Sequence, residues 1–326
     1  MLEYKNDKWK ALLALAPTLL LMAVFTFYPI INTVMLAFMR GYTFGVWYDT
    51  PAADGWIQHF GETINGTYIG IGIGNFITVF KDDTFKSALL NTSIMVIVSV
   101  PLSVIIALLI SVALNSIKRF QALLQTIYFL PYVTNTIALG LVFSVLFSAR
   151  SGLINSALMA IGLDPVPWTS PIMGQNPTYL TCLFVLTIYT IWNGLAFKIL
   201  VFLSGMQSID KQYYQAAQVD ATPRRRVFSK ITVPLLSPMI AYITITSFIG
   251  AFKAYSSVIA IFNGRFGPLT DPNLLITLVG YTYQKLENRS VQGELSKASA
   301  SALILFGIIM LITLVQLQVS KKRVHY

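Results

Sequence analysis

The chain has 326 residues, 55% of them hydrophobic and only 11% charged, with a net charge of +10. That length would hold two soluble domains, but so apolar a composition excludes them. A single cysteine, Cys182, excludes an intrachain disulfide and a cysteine-based metal site, and the two histidines, His59 and His325, lie too far apart in sequence to suggest a metal pair.

Lys5, Lys8 and Lys10 precede an apolar run from Ala11 to about Phe38. A cleaved signal peptide has an apolar core of only ~7–15 residues, so this run reads as a retained first span over about 11–38, with Pro17 and Pro29 as expected kinks. Residues 40–84 are polar, with glycine and aromatic residues, and form an expected external segment. Within it, Tyr68-Ile-Gly-Ile-Gly-Ile-Gly74 invites a glycine-loop reading. A phosphate-cradling loop needs a following helix N-terminus and a cytoplasmic address; the sequence offers neither, and the alternation fits a short strand or coil better. Spans two and three follow over about 86–114 and 120–147, joined by a short link with Lys118 and Arg119. Pro101 and Pro131 sit inside them as kinks that neighbouring helices repair. A second external loop, rich in Gly, Pro and Ser, covers about 148–177. Span four is expected over about 178–206, span five over 234–262, a third external segment over 263–297, and span six over 298–319. Each run meets the ~20 residues that a hydrocarbon core of ~30 Å demands.

The expectation is an all-α polytopic membrane protein with about six transmembrane helices in one domain, 1–326. Six spans put both termini on one side, and the charges agree. The N-terminus, the 115–119 link, the loop of Lys211, Arg224, Arg225, Arg226 and Lys230, and the C-terminal Lys321-Lys322-Arg323 are dense in Lys and Arg, whereas the much longer external segments are not. This is the positive-inside pattern. It accounts for the basic balance through anionic lipid and the cytoplasm, without nucleic acid.

Between spans four and five lies a polar island, Gln207 to Thr232, containing Tyr214-Gln-Ala-Ala-Gln-Val-Asp-Ala-Thr-Pro223. Ala216 and Ala217 keep one side of a short helix flat. Asp220 closes that helix, Thr222 is a cap for the next, and Pro223 suits its first position because a missing N–H loses no bond there. The physical reading is a docking knob on the cytoplasmic side.

This segment resembles the EAA loop of bacterial ABC-importer permeases. Ala216, Ala217, Asp220, Phe228, Ile231 and Pro234 stand at the family spacing, while Gln215 replaces the leading glutamate and Ala221 the family glycine. An alanine there would be strained if the turn requires φ > 0, by roughly 1 kcal/mol. The resemblance extends over about 11–320. It includes Gly74-Asn75-Phe76, Phe85, Asn91 and Thr92, Leu130-Pro131, Gly152-Leu153-Ile154-Asn155, Trp192, Phe252-Lys253-Ala254-Tyr255 and a loosened Gly-Gly-Pro turn at Gly264-Arg265-Phe266-Gly267-Pro268. It points to the carbohydrate-importing subgroup that uses two related permeases, like the larger maltose permease.

The resemblance implies the type I ABC-importer permease fold and a second homologous permease as partner. It also implies two ATPase subunits, a solute-binding protein outside, and a bacterial cytoplasmic membrane. It assigns ATPase coupling to Tyr214, Gln215, Ala216, Ala217, Asp220, Ala221 and Arg224 within 207–232. By the same resemblance Trp192, Asn193, Gly194 and Phe197, with Ser247, Gly250, Ala251 and Ala254, line a sugar pathway. Lys198 joins them as an intramembrane charge. Small residues at i, i+3, i+4 and i+7 serve helix packing as readily as binding. Lys198 and Lys253 could equally snorkel to an interface.

No cofactor is expected on this chain; without a Walker lysine motif, ATP and Mg belong to the partner ATPase, and the subunit performs no covalent chemistry. A permease for another solute, such as glycerol phosphate or a polyamine, stays open. An ion-coupled secondary transporter would want a mid-membrane carboxylate, and none of the 13 Asp and Glu falls inside an expected span.

Overall fold

The computed structural model describes residues 7–40, 42, 56–57, 70–117, 121–291 and 293–323. Lys5, the link at Lys118 and Arg119, and most of the external segment 40–84 lie outside them. The helices are α1 (Asp7–Met22), α2 (Tyr28–Phe38), α3 (Gly74–Lys81), α4 (Asp83–Ser116), α5 (Gln121–Val133), α6 (Thr136–Leu146), α7 (Leu153–Ala160) and α8 (Tyr179–Ser208). They continue with α9 (Lys211–Val219), α10 (Arg224–Val227), α11 (Val233–Leu235), α12 (Ser237–Phe252), α13 (Ser256–Ile261), α14 (Leu278–Glu287) and α15 (Glu294–Arg323).

Among the described residues, four stretches are long and apolar enough to cross a membrane unbroken: Trp9–Phe38, Asp83–Ser116, Tyr179–Ser208 and Glu294–Lys321. The other two expected spans are not single helices. Span three breaks between α5 and α6, which meet at 99°. Asn135 makes the break: its backbone is extended and its side chain accepts from the N–H of Ile137 at 2.8 Å, so α6 starts with a cap of its own. The surrounding apolar run hides this start signal. Span five is bent as well. Its approach, Arg224–Leu235, meets Ser237–Phe252 at 67°, and the helix then stops at Lys253 before α13 begins.

Two prolines are absorbed by widening the helix. Pro29 and Pro234 each lack an N–H and crowd the carbonyl four residues back. Just upstream, the backbone opens into a π turn, Ala23–Phe27 before Pro29 and Phe228–Thr232 before Pro234. α1 continues past Pro17, and α4 past Pro101.

The expected external segments carry structure of their own. A small sheet of β1 (Met39–Arg40), β2 (Trp56–Ile57) and β3 (Gly70–Gly72) qualifies the all-α expectation, with β3 central and antiparallel to both neighbours. The glycine-rich stretch is thus a strand in part, but a helix does follow it. α3 starts at Gly74, contrary to the sequence reading. α7 and α14 likewise lie inside the two later external segments.

The chain divides into two compact units. In the first, residues 1–82 and 282–304, Asn75 Nδ2 donates to the carbonyls of Ala37 at 2.9 Å and Met39 at 2.8 Å, tying α3 to the end of α2. Lys285 bridges Asp82 at 3.4 Å and Glu294 at 3.1 Å, and Lys297 adds a contact to Glu294 at 2.7 Å. In the second unit, residues 83–281 and 305–326, α8 packs against α4 and α5, α12 against α4, and α13 against α6. Gly140 lets α6 close on α13, since a Cβ there would collide with Ala260. Asn91 Nδ2 donates to the carbonyls of Leu274 at 3.0 Å and Ile276 at 3.1 Å, and Thr92 accepts from the N–H of Leu278 at 3.0 Å.

Candidate functional site

Two clefts in the second unit hold most of the residues singled out above. The first, of about 370 Å³, lies among α4, α5, α6, α8, α12 and α13. α8 supplies Asn193, Gly194, Phe197 and Lys198. Ser247, Gly250 and Ala251 come from α12, and Ala254 from the break that follows it. The expected helical stripe from 247 to 254 therefore ends with α12 at Phe252; the turn at Lys253 brings Ala254 to the same wall. Gly250 faces open space, with no atom within 4 Å of where a Cβ would stand. Trp192 does not line the cleft. It is 38% exposed, with its ring 5.4 Å from that of Phe143. Lys253 is exposed and also stands outside the lining.

The walls combine an aromatic platform with scattered polar groups. Tyr132 stacks on Phe197 with ring centres 5.7 Å apart. Tyr189 donates to the carbonyl of Thr136 at 2.9 Å, and Asn193 Nδ2 donates to the Tyr189 hydroxyl at 3.3 Å. Lys198 is only 8% exposed, and its Nζ donates to the carbonyl of Gly194 at 3.2 Å, one turn back along α8. Sequence reasoning missed Ser99, Ser103 and Thr136, which line the cleft from α4 and α6. The i, i+4 spacing of the two serines put them on one face of α4; that was the available signal.

The second cleft, about 590 Å³, lies behind the polar loop. Here α9 begins at Asp210, whose carboxylate accepts from the N–H of Gln212 at 2.9 Å, and ends at Asp220. The next residue, Ala221, adopts φ +49°. Its N–H bonds to the Gln218 carbonyl at 3.1 Å, and that of Thr222 to the Ala217 carbonyl at 2.9 Å. This pair of bonds around a left-handed residue is the Schellman ending, in which glycine is usual. Thr222 thus finishes α9, and Pro223, not Thr222, takes the cap position of α10.

The loop has two faces. Tyr214, Ala217, Ala221 and Arg224 line the cleft, and the Tyr214 hydroxyl lies 3.3 Å from the Thr232 hydroxyl. Ala217 is 6% exposed, so the flat outward surface expected of Ala216 and Ala217 together is formed by Ala216 alone of the two. Around it stand Tyr213 and Val219, the latter 87% exposed. Gln215, Asp220 and the three arginines from Arg224 to Arg226 are exposed as well.

These features have counterparts in known proteins. Residues 66–325 match the model of the binding-protein-dependent transport system inner membrane component. The lactose transport system permease protein LacF of Rhizobium radiobacter is 31% identical over 283 residues, covering 86% of this chain and 83% of its own length. The trehalose/maltose transport system permease protein MalF of Thermococcus litoralis is 26% identical, covering 99% of this chain and 97% of its own. A chain from a bacterial alginate ABC transporter, solved with an alginate pentasaccharide-bound periplasmic protein, superposes with a TM-score of 0.77 at 20% identity, covering 97% and 96% of the two chains. A match over so much of its length places the chain in the family of binding-protein-dependent transport system inner membrane components, multi-pass membrane subunits of ABC importers.

Proposed function

We propose that this chain is one transmembrane subunit of an ATP-driven importer of carbohydrate in a bacterial cytoplasmic membrane. The observation that carries the proposal is the first cleft. Stacked Tyr132 and Phe197 offer a platform for the apolar C–H faces of a sugar, and Asn193, Ser103 and Ser247 offer partners for its hydroxyls. Transport permeases for lactose and for trehalose and maltose among its relatives support the same substrate class.

A second, homologous permease completes the pathway, two ATPase subunits bind at the cytoplasmic face, and an external solute-binding protein delivers the cargo. This subunit holds no cofactor; ATP and Mg reside in the partner ATPase. Both termini and the loop 207–232 face the cytoplasm. Closure of the ATPases on ATP draws on α9, opening the cleft outward to the loaded binding protein, and hydrolysis resets it. The docking contact is the outward stripe Tyr213, Ala216 and Val219, flanked by Gln215, Asp220 and the arginines.

The test is Gly250→Trp. Its indole would fill open space in the cleft without meeting a neighbour at the Cβ. Uptake of labelled sugar by membrane vesicles should fall at least tenfold, while the complex still co-purifies. Undiminished uptake would remove the cleft from the pathway.

A further inference from the structure

Among the described residues, nothing balances the charge of Lys198. It stands roughly 15 Å at helical rise from the Ser208 end of α8. Its amine does not reach toward that end but folds back onto the Gly194 carbonyl. Space for this comes from the glycine: a Cβ on Gly194 would lie 2.6 Å from Nζ. An ammonium has three donors and no acceptor, and one carbonyl at 3.2 Å occupies one of them. Among the described residues no carboxylate lies within ion-pair distance of it, and neither Asp nor Glu lines the cleft. Ser99 Oγ, also on the cleft wall, is buried without a hydrogen-bond partner among the described residues.

A cation more than nine-tenths buried is costly unless something neutralises it. Neutral sugar hydroxyls would bond to the amine but leave its charge uncompensated. An anionic group would do both. Resting on the carbohydrate-import reading, we propose that the cleft takes an acidic saccharide, one bearing a carboxylate or a phosphate, with its anion against Lys198, a ring over Tyr132 and Phe197, and Ser99 supplying a further hydrogen bond. Lys198 is then the residue that sets cargo charge.

The experiment uses the complete importer with its solute-binding protein in proteoliposomes. Initial uptake is measured for a glucuronate-containing disaccharide, a disaccharide phosphate and the matching neutral disaccharide, each referred to its affinity for the isolated binding protein. Wild type should favour one of the acidic probes over the neutral one by at least tenfold, and which of them it takes distinguishes carboxylate from phosphate. Lys198→Gln should cut that uptake at least tenfold through a higher KM, and Lys198→Arg should retain it within about threefold. Equal uptake of neutral and acidic probes by wild type, or undiminished acidic uptake by Lys198→Gln, overturns the proposal while leaving carbohydrate import standing. Import of none of the saccharides overturns both. The wild-type comparison decides even where Lys198→Gln fails to assemble.

Discussion

Asn75, Asn91 and Asn155 do the same job in different places. Each is buried, and each Nδ2 donates to two backbone carbonyls outside its own helix. Asn155 also accepts from the Val166 N–H at 3.1 Å and the Trp168 indole N–H at 2.8 Å, so its amide is fully used. All three were legible as parts of a family pattern, but no spacing rule names the carbonyls that they hold, because those come from segments that meet the asparagines only in the fold. Ala221 was legible in the opposite sense. The sequence flagged a missing glycine, and the structure shows the strained turn, at φ +49°. An alanine held there costs about 1 kcal/mol. Ala221→Gly should therefore stabilise the subunit by up to roughly 1 kcal/mol, a rise of about 2 °C for a chain of this size, read by thermal unfolding in detergent. A lower midpoint would mean that the turn prefers a side chain.

At the scale of elements, α9 shows how a motif can be identified while its orientation is not. The two alanines are adjacent, so about 100° of helix separates them; one faces in and the other out. A sequence pattern read as a flat pair cannot tell which. The outward stripe makes a distinct prediction. Val219→Asp puts a charge on the exposed apolar residue and should lower co-purified ATPase at least tenfold with the subunit's own melting unchanged. Ala217→Trp must instead displace packing behind the helix and should lower melting and ATPase together. If Ala217→Trp spared stability and Val219→Asp spared ATPase, the two faces would be exchanged. The breaks in spans three and five were illegible for a related reason. Hydropathy averages over a window, and a lone Asn135 or the turn at Lys253 hardly changes the average of the apolar run around it.

At the scale of the whole chain the membrane class was legible, since hydropathy depends on no particular contact; the orientation rests on the bias of Lys and Arg. The topology that this bias implies can be tested with little background, because the single native cysteine, Cys182, is buried. A cysteine at exposed Arg225 should react with a membrane-impermeant maleimide only in inside-out vesicles, and one at exposed Asn176 only in right-side-out vesicles. The reverse pattern would invert the orientation and detach the loop from any cytoplasmic ATPase.

The bonds of Asn91 also set a timetable. Its partner carbonyl at Ile276 stands 185 residues later in the chain. At ribosomal speeds of ~5–20 residues per second, that separation amounts to roughly 10–40 s of synthesis. For that interval the start of α4 is already made but has nothing to hold, with Asn91 and Thr92 both waiting for the segment 274–278. The second unit is thus closed by one of the last stretches to leave the ribosome. A chain interrupted before residue 274 would leave Asn91 and Thr92 without these partners.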